Sequence, residues 1–376
     1  MGLLLPLVLC SLAACCTASS EPLSPFLSRS CNDTDVLAVG SFALQDINSD
    51  QKEGYVLSLN RVRDVHEHRQ AGLGSVFYLT LDVLQTECHV LSKKAWKDCK
   101  VRMFHEQTYG QCKAIFYINK PRRVLHSLAY NCTLRPVPRR KVQFMCPDCP
   151  SPSDLSEPRV LEAVTESLAK YNSESASKQY SLFKVTRATS QWVFGPSYFV
   201  EYLIQESPCT KSQDSACVLQ LPDSGPVGLC TGGLSKMNLK KYVSVTCNFF
   251  ESQAPTPGGE NSANQGPANL PKVEEPQQQN TEPTHSLSKA VSRGSVQYLP
   301  DVGDEQPEDS QEKPPVEAFP VQLDLTTNPQ GEAVDVSSLF LGPMSEKLVV
   351  LPFPKEQDSA ECPGPTKNAN PLVLLP

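Results

Sequence analysis

Two kinds of hydrophobic periodicity alternate along this chain, and the alternation occurs twice. Apolar side chains recur every three or four residues over Val36–Ile47 and again over Val160–Tyr171, which predicts two amphipathic helices. Strand-like runs rich in β-branched and aromatic residues follow each helix. They cover Tyr55–Val62, Ser75–Val83 and Lys113–Ile118 after the first helix, and Tyr180–Thr186, Tyr198–Ile204 and Tyr242–Phe250 after the second. The pattern predicts an α+β fold of two tandem modules, each a helix packed on an antiparallel sheet.

The cysteine spacing repeats in the same way. Four cysteines follow each predicted helix, and the second set is displaced from the first by 121, 118, 118 and 115 residues. The sets are Cys88, Cys99, Cys112 and Cys132, and Cys209, Cys217, Cys230 and Cys247. Four coincident spacings indicate an internal duplication. Pairing neighbours would join sequential strands through Cys88–Cys99, Cys112–Cys132, Cys209–Cys217 and Cys230–Cys247, although spacing alone does not establish the connectivity.

The N-terminus predicts export from the cell. Residues 1–18 combine an apolar run that is too short to span a bilayer with small residues up to Ala18, as in a secretory signal peptide. Its removal leaves twelve of the 15 cysteines, an even number that suits an oxidising extracellular compartment. Asn32 and Asn131 begin N-glycosylation sequons, which predicts sugar on exposed loops. We therefore expect a secreted, soluble, monomeric glycoprotein.

The composition changes after residue 251. Nineteen of the 33 prolines but only four aromatic residues lie in residues 252–376, so this segment has little apolar surface to offset the entropy of ordering. We expect it to be largely disordered, with the apolar run Leu348–Pro354 as a candidate for docking on a module. The predicted organisation is a signal peptide (1–18), a first module (25–145), a linker (146–157), a second module (158–251) and a proline-rich tail (252–376).

The linker opens with Cys146-Pro147-Asp148-Cys149-Pro150, which we call the knot. Two cysteines at this spacing can form a redox dithiol, half of a zinc site or a small disulfide. A redox pair favours the start of a helix, but prolines follow the knot, and a structural zinc site needs a second ligand pair. A disulfide-closed loop remains. From the residues alone it is more often a structural linker, with a functional tip that presents Asp148 as the alternative.

Other features exclude several functions. A net charge of −7 argues against nucleic acid or an anionic membrane as the main partner. We find neither a catalytic triad pattern nor a glycine-rich phosphate loop, so we expect no enzymatic activity and no cofactor. His66 and His68 fall in a predicted polar turn, His66–Gly74, where we expect them to be solvated rather than bound to metal. The basic run Arg135–Lys141 is expected to be a solvated strand edge.

One loop connects the second module to a known family. Gln191-Trp192-Val193-Phe194-Gly195 fits the Gln-x-Val-x-Gly loop of cystatins and lies between two predicted strands. Two cystatin-like modules, twelve mature cysteines and a proline-rich tail resemble the fetuin family of the cystatin superfamily. The knot, the run Ser177–Arg187 and Leu348–Pro354 are similar to one branch of that family. The resemblance covers essentially the whole mature chain.

The resemblance implies both structure and function. It implies a helix wrapped by a curved sheet in each module, and disulfides Cys31–Cys362 and Cys146–Cys149 beside the four neighbour pairs. It implies a plasma inhibitor of astacin-type zinc metalloproteases, with ovastacin as the target, that prevents premature hardening of the zona pellucida and so supports fertilisation. Asp148 would ligate the protease zinc, while the hairpins at His66–Gly74 and Gln191–Gly195 would flank the cleft.

Two other functions stay open at this point. Gln191–Gly195 could inhibit papain-like cysteine proteases, as the same loop does in ordinary cystatins. A third possibility is a plasma protein that carries mineral or another ligand, as a fetuin relative does. That function would need a row of surface carboxylates on the sheet of the first module, for which Asp82 and Glu87 are candidates.

Overall fold

The computed structural model describes residues 25–175, 178–207, 225–237, 240–250, 293–301, 332–335, 347–355 and 361–373. The predicted signal peptide, the pair Cys209–Cys217 and most of the proline-rich tail lie outside these residues. The helices are α1 (Thr34–Asp50), α2 (Arg139–Met145) and α3 (Pro158–Glu174). The strands are β1 (Leu27–Ser28), β2 (Tyr55–Gln70), β3 (Gly74–His89), β4 (Thr108–Asn119), β5 (Val124–Pro136), β6 (Ser151–Pro152), β7 (Tyr180–Trp192), β8 (Pro196–Glu206), β9 (Gly228–Met237), β10 (Lys240–Phe249), β11 (Gly294–Tyr298), β12 (Glu332–Asp335) and β13 (Lys347–Val350).

Domain 1 packs α1 on a six-stranded sheet with the order β1-β2-β3-β4-β5-β11. The side chain of Asp33 caps the helix by accepting a hydrogen bond of 2.9 Å from the Asp35 backbone N–H. The apolar stripe of α1 is fully buried against the sheet, and it includes Val36, Ala43, Leu44 and Ile47. The periodicity that predicted this helix thus provides one side of the core.

Domain 2 repeats this arrangement. Helix α3 packs on a five-stranded sheet with the order β10-β9-β8-β7-β6. Its buried side chains Val160, Ala163 and Val164 contact the sheet residues Tyr202 and Ile204, among others. The α+β prediction of two helix-on-sheet modules in tandem is therefore confirmed.

Described parts of the tail lie against domain 1. Strand β11 pairs in parallel with β5, and the disulfide Cys31–Cys362 joins the tail to the start of the domain. Leu348 and Val350 are buried on the outer face of the sheet, where they contact Val76, Tyr78 and other apolar residues. The run Leu348–Pro354 thus docks on domain 1, and both faces of this sheet are covered.

This cover explains why the prediction for His66 and His68 was wrong. The two histidines lie in β2, which runs on to Gln70, and not in a turn. His66 is only 5% exposed, with its Nε2 atom 3.0 Å from Oδ2 of Asp64, and the ring of Phe26 packs edge-on against it at 5.9 Å. His68 is partly buried, and burial lowers its pKa. Neither histidine is a solvated turn residue.

Three further expectations need correction. Asn131, which begins the second predicted sequon, does not lie on an exposed loop: it is in β5, paired with both β4 and β11, and it is partly buried. Asp82 is 3% exposed, and its carboxylate accepts hydrogen bonds from Arg61 and Gln111, so it cannot contribute to a surface row of carboxylates. Only the first two residues of the basic run Arg135–Lys141 belong to a strand, and its last three belong to a helix. Strand β5 ends at Pro136, and α2 begins at Arg139 with its backbone N–H bonded to the Asp301 side chain at 2.8 Å.

Disulfides brace both domains. The structure forms Cys31–Cys362, Cys88–Cys99, Cys112–Cys132, Cys146–Cys149 and Cys230–Cys247. Such bonds stabilise a fold mainly by restricting the unfolded chain. The set is consistent with a secreted protein. Among the described residues, no helix combines the length and apolar character that crossing a membrane requires.

A buried polar network joins the two domains. Arg102 of domain 1 makes two hydrogen bonds of 2.8 Å to the carboxylate of Glu201 in β8, and its guanidinium lies over the Tyr55 ring at 4.3 Å. The Tyr55 hydroxyl donates to Glu201 and lies 2.9 Å from the Thr186 hydroxyl. Burial raises the pKa of Glu201, but the hydrogen bond and the charge of Arg102 outweigh it and keep that pKa below the ordinary value. The two sheets are therefore held in a fixed relative orientation.

Candidate functional site

The knot is a continuation of helix α2. The backbone N–H of Cys146 donates to the Val142 carbonyl at 2.8 Å, and that of Cys149 donates to the Cys146 carbonyl at 3.1 Å. The disulfide Cys146–Cys149 closes this turn, with Pro147 and Asp148 exposed on it. A proline and a disulfide leave the loop few conformations in the unbound protein. The carboxylate of Asp148 is thus presented to solvent from a stiff support.

Domain 2 holds the other end of the knot. Ser151 and Pro152 form the edge strand β6, which pairs with Ser190 and Thr189 of β7. The Ser153 backbone N–H adds a hydrogen bond of 3.0 Å to the Ala188 carbonyl. The knot is therefore fixed at one end by α2 of domain 1 and at the other end by the sheet of domain 2.

The cystatin-like loop lies next to the knot. The Gln191 side-chain amide donates to the backbone carbonyl of Asp148 at 2.5 Å. Beyond it, residues 193–195 connect β7 to β8, and Trp192 is 77%, Val193 43% and Phe194 85% exposed. All the site residues expected from the sequence, Cys146–Pro150 and Gln191–Gly195, therefore form one continuous surface.

Gly195 gives this hairpin its shape. Its φ is +133°, and a Cβ atom there would lie 2.3 Å from the Lys236 carbonyl oxygen. Residues that carry a Cβ atom rarely adopt such a backbone conformation, so the turn requires glycine. The close approach also brings the β9–β10 hairpin next to the β7–β8 hairpin.

The second hairpin at the site is different from the one expected. Strand β9 pairs with β8 through Ser235 and Ser197, so the end of β9 lies beside Gly195, although residues 238–239 at its tip are not described. The domain 1 turn after Gln70 lies at the opposite end of its sheet. Along β4, Ile118 pairs with Ser75 beside that turn, whereas Thr108 pairs with Pro136 beside α2, about 33 Å away. The expectation that the domain 1 hairpin flanks the knot was wrong.

Two elements at the site were missed in the sequence. In the β9–β10 hairpin, Tyr242–Phe250 was predicted as a strand, but β9 was not, because three glycines, Gly228, Gly232 and Gly233, weaken its strand pattern. Helix α2 carries Phe144, which is 89% exposed, and Met145, which is 54% exposed, directly before the knot. Its seven residues are too short for a clear periodicity, so only the position next to the knot could have drawn attention to them.

The chemistry available at this surface is that of a ligand donor. A carboxylate oxygen is a good ligand for zinc, and Asp148 presents one on an exposed, preformed loop. Within the ranges that the structure describes, no three histidine, cysteine, aspartate or glutamate side chains are grouped to hold a metal ion. The apolar side chains around Asp148 favour contact with another macromolecule.

Comparison with known proteins agrees with this description. The sequence pattern of the cystatin domain matches residues 27–120 and 149–237. Fetuin-B from Homo sapiens is 69% identical over 385 aligned positions, which cover 100% of both chains. The structure of mouse fetuin-B in complex with crayfish astacin is similar, with a TM-score of 0.75 and 58% identity over 95% of this chain and 99% of that one. The structure of an inhibitory complex of human meprin beta with mouse fetuin-B is also similar. Its TM-score is 0.74 with 57% identity, over 93% of this chain and 100% of that one.

Proposed function

The chain belongs to the fetuin family, on the branch of the fetuin-B proteins, and we propose that it inhibits astacin-type zinc metalloproteases through the knot. The observation that carries the proposal is the exposed carboxylate of Asp148 on a disulfide-closed loop held by both domains. The complexes of mouse fetuin-B with crayfish astacin and with human meprin beta support it. In this role the protein is a secreted inhibitor and not an enzyme.

Zinc chemistry gives the mechanism. A catalytic zinc in a protease has three protein ligands and a fourth position held by water, which becomes the nucleophile. Asp148 enters the cleft on the knot, and one of its carboxylate oxygens takes the position of that water. The protease then keeps its metal but has no nucleophile to activate.

The preformed loop makes this binding efficient and protects it from cleavage. The disulfide and the prolines hold Asp148 in place before binding, so little conformational entropy is lost on association. The Gln191 amide fixes the peptide group of Asp148 from the side, at 2.5 Å. A peptide held in this way does not relax into the extended geometry that a protease cuts. The two hairpins of domain 2 contact the rim of the cleft.

We propose ovastacin, the egg protease, as the physiological target and plasma as the source. Silencing that protease before fertilisation would prevent premature hardening of the zona pellucida. The choice of ovastacin and plasma comes from the family resemblance described in the sequence analysis, whereas the full-length identity to fetuin-B from Homo sapiens supports membership of that branch.

The test is a single carboxylate. Asp148→Asn keeps the size of the side chain but removes its charge, and it should raise the inhibition constant for astacin by at least about 30-fold, since losing one partner of a buried charged contact costs about 2–5 kcal/mol. Asp98→Asn, an exposed aspartate in domain 1, is the matched control and should inhibit like the wild type. The melting temperatures of both variants should be unchanged. An Asp148→Asn variant that inhibits as well as the control would contradict the zinc-ligand role.

Inhibition of cysteine proteases is the competing function. In favour of it, Trp192 and Phe194 are exposed in a loop of the cystatin type. Against it, Gln191 is bonded to the knot, and β6 continues from the knot beside the loop instead of ending in a free N-terminal segment. We expect the purified protein to inhibit astacin and not papain, and inhibition of papain alone would reverse this choice.

A further inference from the structure

Exposed apolar surface is concentrated around the knot. Among the described residues, the four most exposed large apolar side chains are Phe144, Phe194, Trp192 and Met145, at 89%, 85%, 77% and 54%. Two of them belong to the β7–β8 hairpin, and the other two belong to α2. Large exposed apolar groups in a cluster mark interaction sites rather than ordinary surface. The knot therefore has apolar neighbours on the helix that enters it as well as on the hairpin beside it.

The geometry of α2 explains why Phe144 faces solvent. Val142 is buried in a cluster with Leu84, Tyr109 and Val137, and this contact fixes which side of the helix faces the protein. Each residue of an α-helix is rotated by about 100° from the last, so Phe144 lies about 200° round the helix from Val142. The ring is thus held away from the protein by the same contact that anchors the helix.

The position of Phe144 relative to Asp148 is also fixed. The hydrogen bond from Cys146 to Val142 continues the helix into the knot, and the Cys146–Cys149 disulfide closes the next turn. The five residues from Phe144 to Asp148 therefore belong to one stiff unit. A partner that binds Asp148 meets Phe144 without any rearrangement of the inhibitor.

We infer that Phe144, supported by Met145, is an additional anchor that contacts the target metalloprotease outside its zinc site. The inference rests on the proposed function, because it takes the same protease as the partner. Continuity with the knot is the first argument, and the exposed ring is the second. Aromatic side chains that become fully covered dominate the affinity of many protein interfaces.

The charge of α2 defines the protease surface further. Arg139, Arg140 and Lys141 are exposed and place three positive charges in the first half of the helix. The complementary surface is an apolar depression with an acidic rim, next to the active-site cleft. Positive charge at the edge of an interface speeds association, whereas a covered ring slows dissociation.

The experiment compares two phenylalanines. Phe144→Ala should raise the inhibition constant for astacin about 10- to 100-fold, mostly through faster dissociation. Phe42→Ala is the matched control, since Phe42 is 49% exposed on helix α1 of domain 1 and should leave inhibition unchanged. The melting temperature of Phe144→Ala should equal that of the wild type, whereas Phe42→Ala should melt slightly lower, because half of its ring is covered, without any change in inhibition.

Zinc-free astacin separates this contact from the zinc ligand. Binding of the full-length inhibitor to zinc-free astacin is measured by surface plasmon resonance. Phe144→Ala should weaken this binding by the same factor by which it raises the inhibition constant. Asp148→Asn should bind zinc-free astacin like the wild type. If the wild type inhibits astacin and Phe144→Ala inhibits it equally well, the inference is overturned and the proposed function stays intact. A wild type that does not inhibit would overturn both. A Phe144→Ala effect on self-association of the free inhibitor, seen by sedimentation without a change in inhibition, would assign the ring to a second copy of the chain and also overturn the inference.

Discussion

Glu201→Ala is the change that most directly tests how the two domains are held together. It removes the carboxylate that accepts two hydrogen bonds of 2.8 Å from Arg102 and one from the Tyr55 hydroxyl. The Arg102 side chain is only 1% exposed, so in the wild type this carboxylate takes the place of water as its partner. The nearest remaining carboxylate, that of Glu106, lies 3.6 Å away and is partly exposed.

The size of the effect follows from this burial. Removing one partner of a buried ion pair costs about 3–5 kcal/mol of unfolding free energy, and we expect the lower end of this range because Glu106 still compensates part of the Arg102 charge. A second ion pair between the domains provides the control. Lys184 and Glu53 are 3.1 Å apart with side chains 53% and 82% exposed, and breaking such a pair costs about 1 kcal/mol or less.

The assay is urea unfolding of Glu201→Ala and Glu53→Ala, followed by circular dichroism with the disulfides intact. We expect a clearly lower midpoint for Glu201→Ala and little change for Glu53→Ala. The double variant Arg102→Met/Glu201→Leu should regain part of the loss, because it removes the Arg102 charge together with its partner but leaves the nearby charge of Arg187. If Glu201→Ala is no less stable than Glu53→Ala, the network does not hold the domains together.

Two further predictions concern the hairpin and the interface. Gly195→Ala should lower the unfolding free energy by about 1–3 kcal/mol, because φ is +133° and the Lys236 carbonyl oxygen occupies the space of the added methyl group. Gly72→Ala, with φ +75° and open space around it, is the control and should lower the unfolding free energy less in the same thermal melts. Equal losses in the two variants would contradict this reasoning. Burial lowers the pKa of His89 to about 4. The negative charges of Glu201 and Glu53 raise this pKa in part, and the positive charge of Lys184 lowers it further. The unfolded chain therefore takes up the proton first, so stability falls from about pH 6.5 to 4; His89→Gln should flatten this part of the stability profile in urea unfolding, and an unchanged slope would show that His89 does not contribute.

Local patterns predicted much of this protein. The repeated cysteine spacing and the two amphipathic runs gave the number of domains and their fold class, because spacing and periodicity are properties of neighbouring residues. The knot and Gln191–Gly195 were also identified from short motifs. In the structure these two motifs are in direct contact, through the hydrogen bond from Gln191 to the Asp148 carbonyl.

What the sequence did not reveal depends on distant contacts. His66 looked like a turn residue because polar groups surround it, but strand β2 continues there since the tail segment around Leu348 covers the outer face of the sheet. Asp82 is buried by a different contact, because its carboxylate accepts hydrogen bonds from Arg61 of β2 and Gln111 of β4. Arg102 and Glu201 are 99 residues apart in sequence, and no local pattern pairs them.

The disulfide Cys31–Cys362 has a consequence for survival among proteases. It joins residues 331 positions apart, so both domains and the knot lie between its two cysteines. A single peptide bond cut anywhere in that interval gives two polypeptides that are still covalently joined. Gel electrophoresis would separate them only after reduction. A nicked molecule therefore keeps all its parts in one particle, and losing a fragment takes two cuts or a reducing agent.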